Sequence, residues 1–220
     1  MARSERAPLR VLDAVRPRQR LRLLLRALAL VAARPARQTG AATLTERTHP
    51  TALLAEWLDR LPRGRALDVA CGAGRNALYL AARGFRVDAI DVSEAGLERG
   101  RAAADRLGLE IDWHCADLEE DPQALRRGPY DLVVWVRYVN AALWTPLIER
   151  LAPGGHVLVE QHLQTTEEVV GPSGSAFRLA PHALERAAAG LAIVHYHEGL
   201  VVDPDGRTAA LAQLIASRPG

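Results

Sequence analysis

From residue 50 onward the apolar positions switch between a helical spacing of about 3.6 residues and short continuous or alternating runs. After Pro50, Leu53, Leu54, Trp57 and Leu58 recur on one face, which predicts a helix ended by Pro62-Arg63-Gly64. Residues 66–70 read as a short apolar strand, residues 76–83 as a helix stopped by Gly84, and residues 85–90 as a second strand. Ser93 caps a helix to about residue 107, where Gly108 stops it. Residues 110–115 alternate like a strand. The unbroken apolar run 132–136 is that of a central parallel strand buried on both faces. A helix over 144–151, a turn at Pro153-Gly154-Gly155 and a buried strand over 156–159 follow. Pro181 opens a helix to about residue 189. Residues 191–197 and 207–216 read as two strands joined across a turn at Asp203-Pro204-Asp205-Gly206. Strands separated by helices predict an α/β fold, doubly wound, with a mostly parallel sheet and helices on both faces. The closing hairpin adds one antiparallel strand.

The first forty residues have a different character. Within 16–37, Arg18, Arg22 and Arg26 fall at i, i+4, i+8, and Leu21, Leu24, Leu25 and Leu28 at i, i+3, i+4, i+7. That pattern predicts a basic amphipathic helix ending near Pro35. Three roles compete for it: contact with an anionic membrane surface through residues 16–34, a targeting peptide, or an accessory extension. The accessory extension is favoured, because a basic amphipathic stretch alone is a weak signal. A composition shift at Gln38-Thr39-Gly40-Ala41 divides a 1–40 extension from a 41–220 domain.

Charge sharpens that division. The chain of 220 residues carries a net +2, but residues 1–40 hold ten Arg against Glu5 and Asp13, while 41–220 hold 18 Arg against 24 acids. The body is therefore acidic at −6, which argues against a nucleic-acid binder. Two cysteines, Cys71 and Cys115, make no disulfide framework and have no zinc-finger spacing, so a reducing cytoplasm fits and no metal site is expected.

The chemistry concentrates where the first strand meets the next helix. Asp68-Val-Ala-Cys-Gly72-Ala-Gly74-Arg-Asn76-Ala77 places two glycines in a tight turn at the carboxyl end of a strand, where open α/β sheets bind ligands. Gly72-x-Gly74-x-x-Ala77 also fits a dinucleotide loop. Three acids narrow the choice. Asp68 lies inside the strand, where a carboxylate is costly unless it meets backbone amides or a cationic group. A pyrophosphate would be repelled there and an ammonium would not. Asp91 ends the second strand and suits a ribose diol. Asp117 follows the third strand and suits an exocyclic adenine amine. Ribose, adenine and a zwitterionic amino-acid tail together describe S-adenosyl-L-methionine.

The stretch DVACGAGRNALYLAARGFRVDAIDVS, with YDLVV at 130–134 and LAPGG at 151–155, resembles class I S-adenosylmethionine-dependent methyltransferases. GRNALYLA and the later GP…FRLAPHAL are similar to the branch containing tellurite-resistance and related small-molecule methyltransferases. The resemblance covers roughly residues 45–218. It implies a seven-stranded sheet of order 3-2-1-4-5-7-6 with strand seven antiparallel. It implies that Asp68, Cys71, Gly72 and Gly74 line the methionine end, that Asp91 and Val92 hold the ribose, and that Asp117 and Leu118 hold adenine. Val136 and Arg137 then face the sulfonium and the acceptor. Asn76 is either a helix N-cap or a cofactor contact. Cys71 reads as a small packing residue.

Methyl transfer from a sulfonium needs alignment and water exclusion, and a base only if the acceptor arrives protonated. Catalytic candidates are therefore placed by strand ends: Arg137 as a clamp for an anionic acceptor, and His162 as a base after strand five. Arg178 and Arg207 add candidate positive charge. The region GLVVDPDGR lacks the His-Arg pair expected of the tellurite enzymes, which weighs against a metalloid oxyanion. The insertion at 163–180 is expected to form a lid over a small acceptor. The expected function is S-adenosylmethionine-dependent methyl transfer to a small molecule, by a monomer or homodimer. A nicotinamide-dependent oxidoreductase and a non-catalytic S-adenosylmethionine-binding protein are the alternatives.

Overall fold

A computed structural model of the chain describes residues 49–220. By its contacts the chain divides into two units, 1–45 and 46–220, and the described residues belong to the second. The amphipathic pattern at 16–37, its suggested membrane contact and the linker at 38–41 lie outside the described residues.

The elements run α1 (Ala52–Trp57), β1 (Arg65–Val69), α2 (Arg75–Ala81), β2 (Arg86–Asp91), α3 (Glu94–Leu107) and β3 (Ile111–Cys115). They continue with β4 (Tyr130–Val136), α4 (Trp144–Glu149), β5 (Leu151–His162), α5 (Ala183–Ala187), β6 (Ala192–Val202) and β7 (Thr208–Ser217). The seven strands form one sheet in the order β3-β2-β1-β4-β5-β7-β6. β1 to β5 pair in parallel, and β7 runs antiparallel between β5 and β6. This is the architecture and order that the resemblance implied.

Two cores form because successive strand residues point to opposite faces. Leu67, Val69, Val133, Trp135, Val157 and Val159 share one core with α4 and α5. Ala66, Leu132, Val134 and Leu158 share the other with α1, α2 and α3. The faces are unequally covered. α3 has 14 residues, with Ser93 Oγ accepting from Gly96 N–H and Gly108 closing it in a left-handed conformation, as the sequence predicts. On the other face α4 and α5 have only six and five residues, and β3 connects to β4 through one short 3-10 turn, Pro122–Ala124.

Several boundaries differ from the sequence reading: β4 starts at Tyr130, α5 is confined to Ala183–Ala187, β6 runs on to Val202, and β5 differs at both ends. The Pro153-Gly154-Gly155 turn does not precede β5 but falls within it, at a register shift between Tyr130 and Leu132 of β4. β5 also runs three residues further, to His162, because β7 pairs with it as far as Leu211. Glu160, Gln161 and His162 are therefore strand residues, all buried. At the opposite edge of the sheet Asp88 of β2 is buried too. Arg65 reaches it at 2.7 Å and Tyr130 Oη donates to it at 2.6 Å.

Candidate active site

The turn after β1 is built by two left-handed glycines and one left-handed alanine, Ala70 (φ 52°), Gly72 (φ 60°) and Gly74 (φ 75°). Gly74 has a packing reason as well. A Cβ there would come within 2.3 Å of the Trp113 indole, which lies beneath the loop. A Cβ on Gly72 would meet none of the described residues within 4 Å, which leaves room on this face of the loop for a ligand.

The three predicted acids sit along one edge of the sheet, at or near the carboxyl ends of β1, β2 and β3. Asp68 is 1% exposed and accepts from Ala77 N–H at 2.9 Å. Burial pushes its carboxyl up from 3.8 to about 7, against the pull of the Ala77 amide, Arg75 and Asn76. Asp91 is held by two backbone donors, Gly72 N–H at 2.7 Å and Ser93 N–H at 2.8 Å. It thereby ties the glycine loop to the end of β2. Asp117 accepts from Glu119 N–H at 2.9 Å, and the Leu118 carbonyl accepts from Asn140 Nδ2 at 3.2 Å. Val92 is 54% exposed beside Asp91, and Val136 closes β4 on the α2 side.

Asn76 is not an N-cap. Gly74 holds that position, and Asn76 is buried inside α2, where it bonds Asp68 and accepts from Thr51 N–H at 3.0 Å. It positions Asp68 from behind. Cys71 is buried with its thiol pushed up by burial and by the carboxylates of Asp68 and Asp91, which fits packing and not nucleophilic chemistry.

Arg137 does not have the geometry of an anion clamp. It stands just past β4 in the left-handed region (φ 58°), with its N–H donating to the Glu160 carbonyl at 2.7 Å. Its guanidinium is fork-paired with Asp203 at 2.5 and 3.0 Å and reaches Glu160 at 3.2 Å. Two carboxylates of its own chain already outweigh its charge. Glu160, 1% exposed, also accepts from Thr51 Oγ1 at 2.7 Å and Gln213 Nε2 at 2.9 Å. This cluster joins α1, β4, β5, β7 and the hairpin turn. The sequence carried one signal of it, a carboxylate in the apolar run of β5; Thr51 carried none, and Asp203 read as a turn residue.

His162 is buried at the end of β5, and a Cβ on Gly171 would come within 2.7 Å of its ring. The 163–180 insertion thus packs on His162. It is pinned by Val170 N–H to the Thr208 carbonyl and by Leu179 N–H to the His162 carbonyl. Arg178 bonds the carbonyls of Pro172 and Leu163, and Arg207 pairs with Asp205, so both guanidinia are engaged locally. Among the described residues no three His, Cys, Asp or Glu side chains converge as a metal site would need.

Comparison with known proteins bears on this geometry. The family profile described as a methyltransferase domain matches residues 66–155. A ubiquinone biosynthesis O-methyltransferase of Marinobacter nauticus is 33% identical over 103 residues, covering 43% of this chain and 42% of that protein. A 23S rRNA (uracil(1939)-C(5))-methyltransferase of Klebsiella pneumoniae is 39% identical over 82 residues, covering 36% and 19%. The chain thus spans less than half the length of these relatives. Among solved structures, TehB from Haemophilus influenzae superposes with a TM-score of 0.64 at 22% identity over 75% of this chain and 61% of that one, a likeness of fold. Over residues 66–155, which include the acid-flanked glycine loop, the chain is thus similar to methyltransferase domains.

Proposed function

We propose that the protein binds S-adenosyl-L-methionine across the carboxyl ends of β1, β2 and β3 and transfers its methyl group to a small-molecule acceptor. The observation that carries this reading is the pairing of a buried strand carboxylate, Asp68, with a glycine loop clamped by Asp91. The residues present fit the cofactor. Gly72 leaves open space over the loop, Asp68 suits its ammonium, Asp91 its ribose, and Asp117 with the Leu118 backbone its adenine. When bound, the sulfonium supplies a methyl group already activated by its positive charge. The chain's own part is alignment and water exclusion, by the loop after β1, by Val136 and by the pinned 163–180 insertion.

A small acceptor is supported by that insertion, which is tied down at both ends, and by the acidic body. The rRNA-methylating relative makes nucleic acid the outcome to exclude. A cytoplasmic location is supported by the two free cysteines, Cys71 and Cys115. Among the described residues no helix is long and apolar enough to cross a membrane.

Calorimetric titration with S-adenosylhomocysteine tests the cofactor, with NADH as the control ligand. Micromolar-range binding that Asp91→Ala weakens about tenfold or more is expected for loss of a charged acceptor. Binding of NADH in its place would overturn the assignment.

A further inference from the structure

The thinly covered face of the sheet holds a cavity that the cofactor does not use. Trp135 of β4 pairs in register with Val159 of β5, and Gln161 follows two residues on, so all three point to the α4/α5 side. They floor a cavity of about 350 Å³ walled by Trp144 of α4 and by Ala183 and Leu184 of α5. The cavity exists because α4 and α5 are only six and five residues long and do not close over the strand ends. Asp68 and Asn76 lie on the opposite face of the sheet, so the cavity does not open onto the glycine loop, although Asn140 on its rim donates to the Leu118 carbonyl at 3.2 Å.

Two polar atoms of its floor residues have no partner among the described residues. Trp135 is 4% exposed and its Nε1–H finds no acceptor among the described residues; Gln161 is 2% exposed and its Oε1 finds no donor among them. The Gln161 amide nitrogen donates to the Trp135 carbonyl at 3.4 Å, which fixes Oε1 as the open acceptor. Buried polar groups are nearly always satisfied, so an open donor and an open acceptor on one cavity floor point to a ligand that meets both. Among the described residues no charged side chain lines the cavity, which favours an uncharged ligand. Trp135 and Trp144 stand with ring centroids 6.3 Å apart and planes tilted by 39°, an aromatic corner suited to a flat ring. The volume lies within the range of small-molecule pockets, roughly 300–1,000 Å³.

We propose that this cavity binds an uncharged, planar, apolar small molecule carrying one hydrogen-bond acceptor, for Trp135 Nε1–H, and one donor, for Gln161 Oε1. The proposal does not depend on the methyl-transfer assignment, although Asn140 and Leu179 of the cavity wall border the residues named there.

Ligand-observed NMR titration of the full chain tests it with two probes of the same shape. 2-Quinolinone, a bicyclic lactam, carries one carbonyl acceptor and one N–H donor; naphthalene carries neither. Both should saturate the wild type, the lactam about tenfold more tightly for two net hydrogen bonds. Trp135→Phe and Gln161→Leu should each weaken the lactam about fivefold and leave naphthalene unchanged. Ala183→Phe, on a partly exposed helical turn, should abolish both without altering the thermal melt. Asp91→Ala should leave both intact, which separates this site from the cofactor cleft. Failure of either probe to saturate, a lactam no tighter than naphthalene, or binding that survives Ala183→Phe would overturn the proposal.

Discussion

Replacing Asp68 by Asn gives the sharpest test of how the site is built. The side chain keeps its shape and an oxygen for the Ala77 amide, but it cannot ionise. In the folded chain the Asp68 carboxyl titrates at about 7 against 3.8 unperturbed, mainly because it is buried. The folded protein therefore keeps this proton across the window from about 4 to 7 while the unfolded chain loses it. By linkage, wild-type stability falls as pH rises through that window. The rise corresponds to a charging cost on the order of 4 kcal/mol, fully felt above about pH 7. Asp68→Asn should thus be more stable than wild type at pH 8 by up to that amount and nearly equal to it at pH 4. Urea unfolding followed by circular dichroism at pH 4, 6 and 8 reads the difference. Taking the wild-type-minus-variant value cancels His114, His156 and His195, whose rings burial holds below the ordinary range. The same variant should bind S-adenosylhomocysteine about tenfold or more weakly at pH 8, for loss of a charged partner to its ammonium. A destabilisation independent of pH, or a difference that shrinks as pH rises, would refute the reasoning.

Arg137→Gln should strand Glu160 and Asp203 without their shared cation and cost about 3–5 kcal/mol. Urea unfolding at pH 8 measures this, and a variant of unchanged stability but lost turnover would restore Arg137 as an acceptor clamp. Thr51→Val removes one donor to Glu160 and should cost about 1–2 kcal/mol by the same assay. Gly74→Ala should destabilise through both its left-handed φ, about 1–2 kcal/mol, and the Trp113 clash. In a double-mutant cycle, Trp113→Leu should relieve the clash and leave the conformational part.

The order of elements was legible because it is written in local spacing. Period-2 and period-3.6 patterns report which face a residue takes, and Ser93 and Gly108 end a helix wherever it packs. The positions of Asp68, Asp91 and Asp117 were legible for the same reason, the first as a carboxylate inside an apolar strand and the others as carboxylates at or just past a strand end. Element ends were less so. β5 reaches His162 only because β7, some fifty residues later, supplies its ladder.

The partners of those residues were decided by the tertiary fold alone. Arg137 and Asp203 are 66 residues apart, and Thr51 and Glu160 are 109 apart. No periodicity relates them; the sheet order and register bring them together, and so turn an apparent anion clamp into an internal ion pair. Burial likewise sets the proton affinity of Asp68, and Trp113 decides that the αL position 74 must be glycine. The cavity over Trp135 and Gln161 follows from what short helices fail to cover, a volume that no run of residues contains. Sequence determined the faces and the chemistry they carry, because both are local. Distance, burial and empty space depend on all the chain at once, and only the packed structure fixed them.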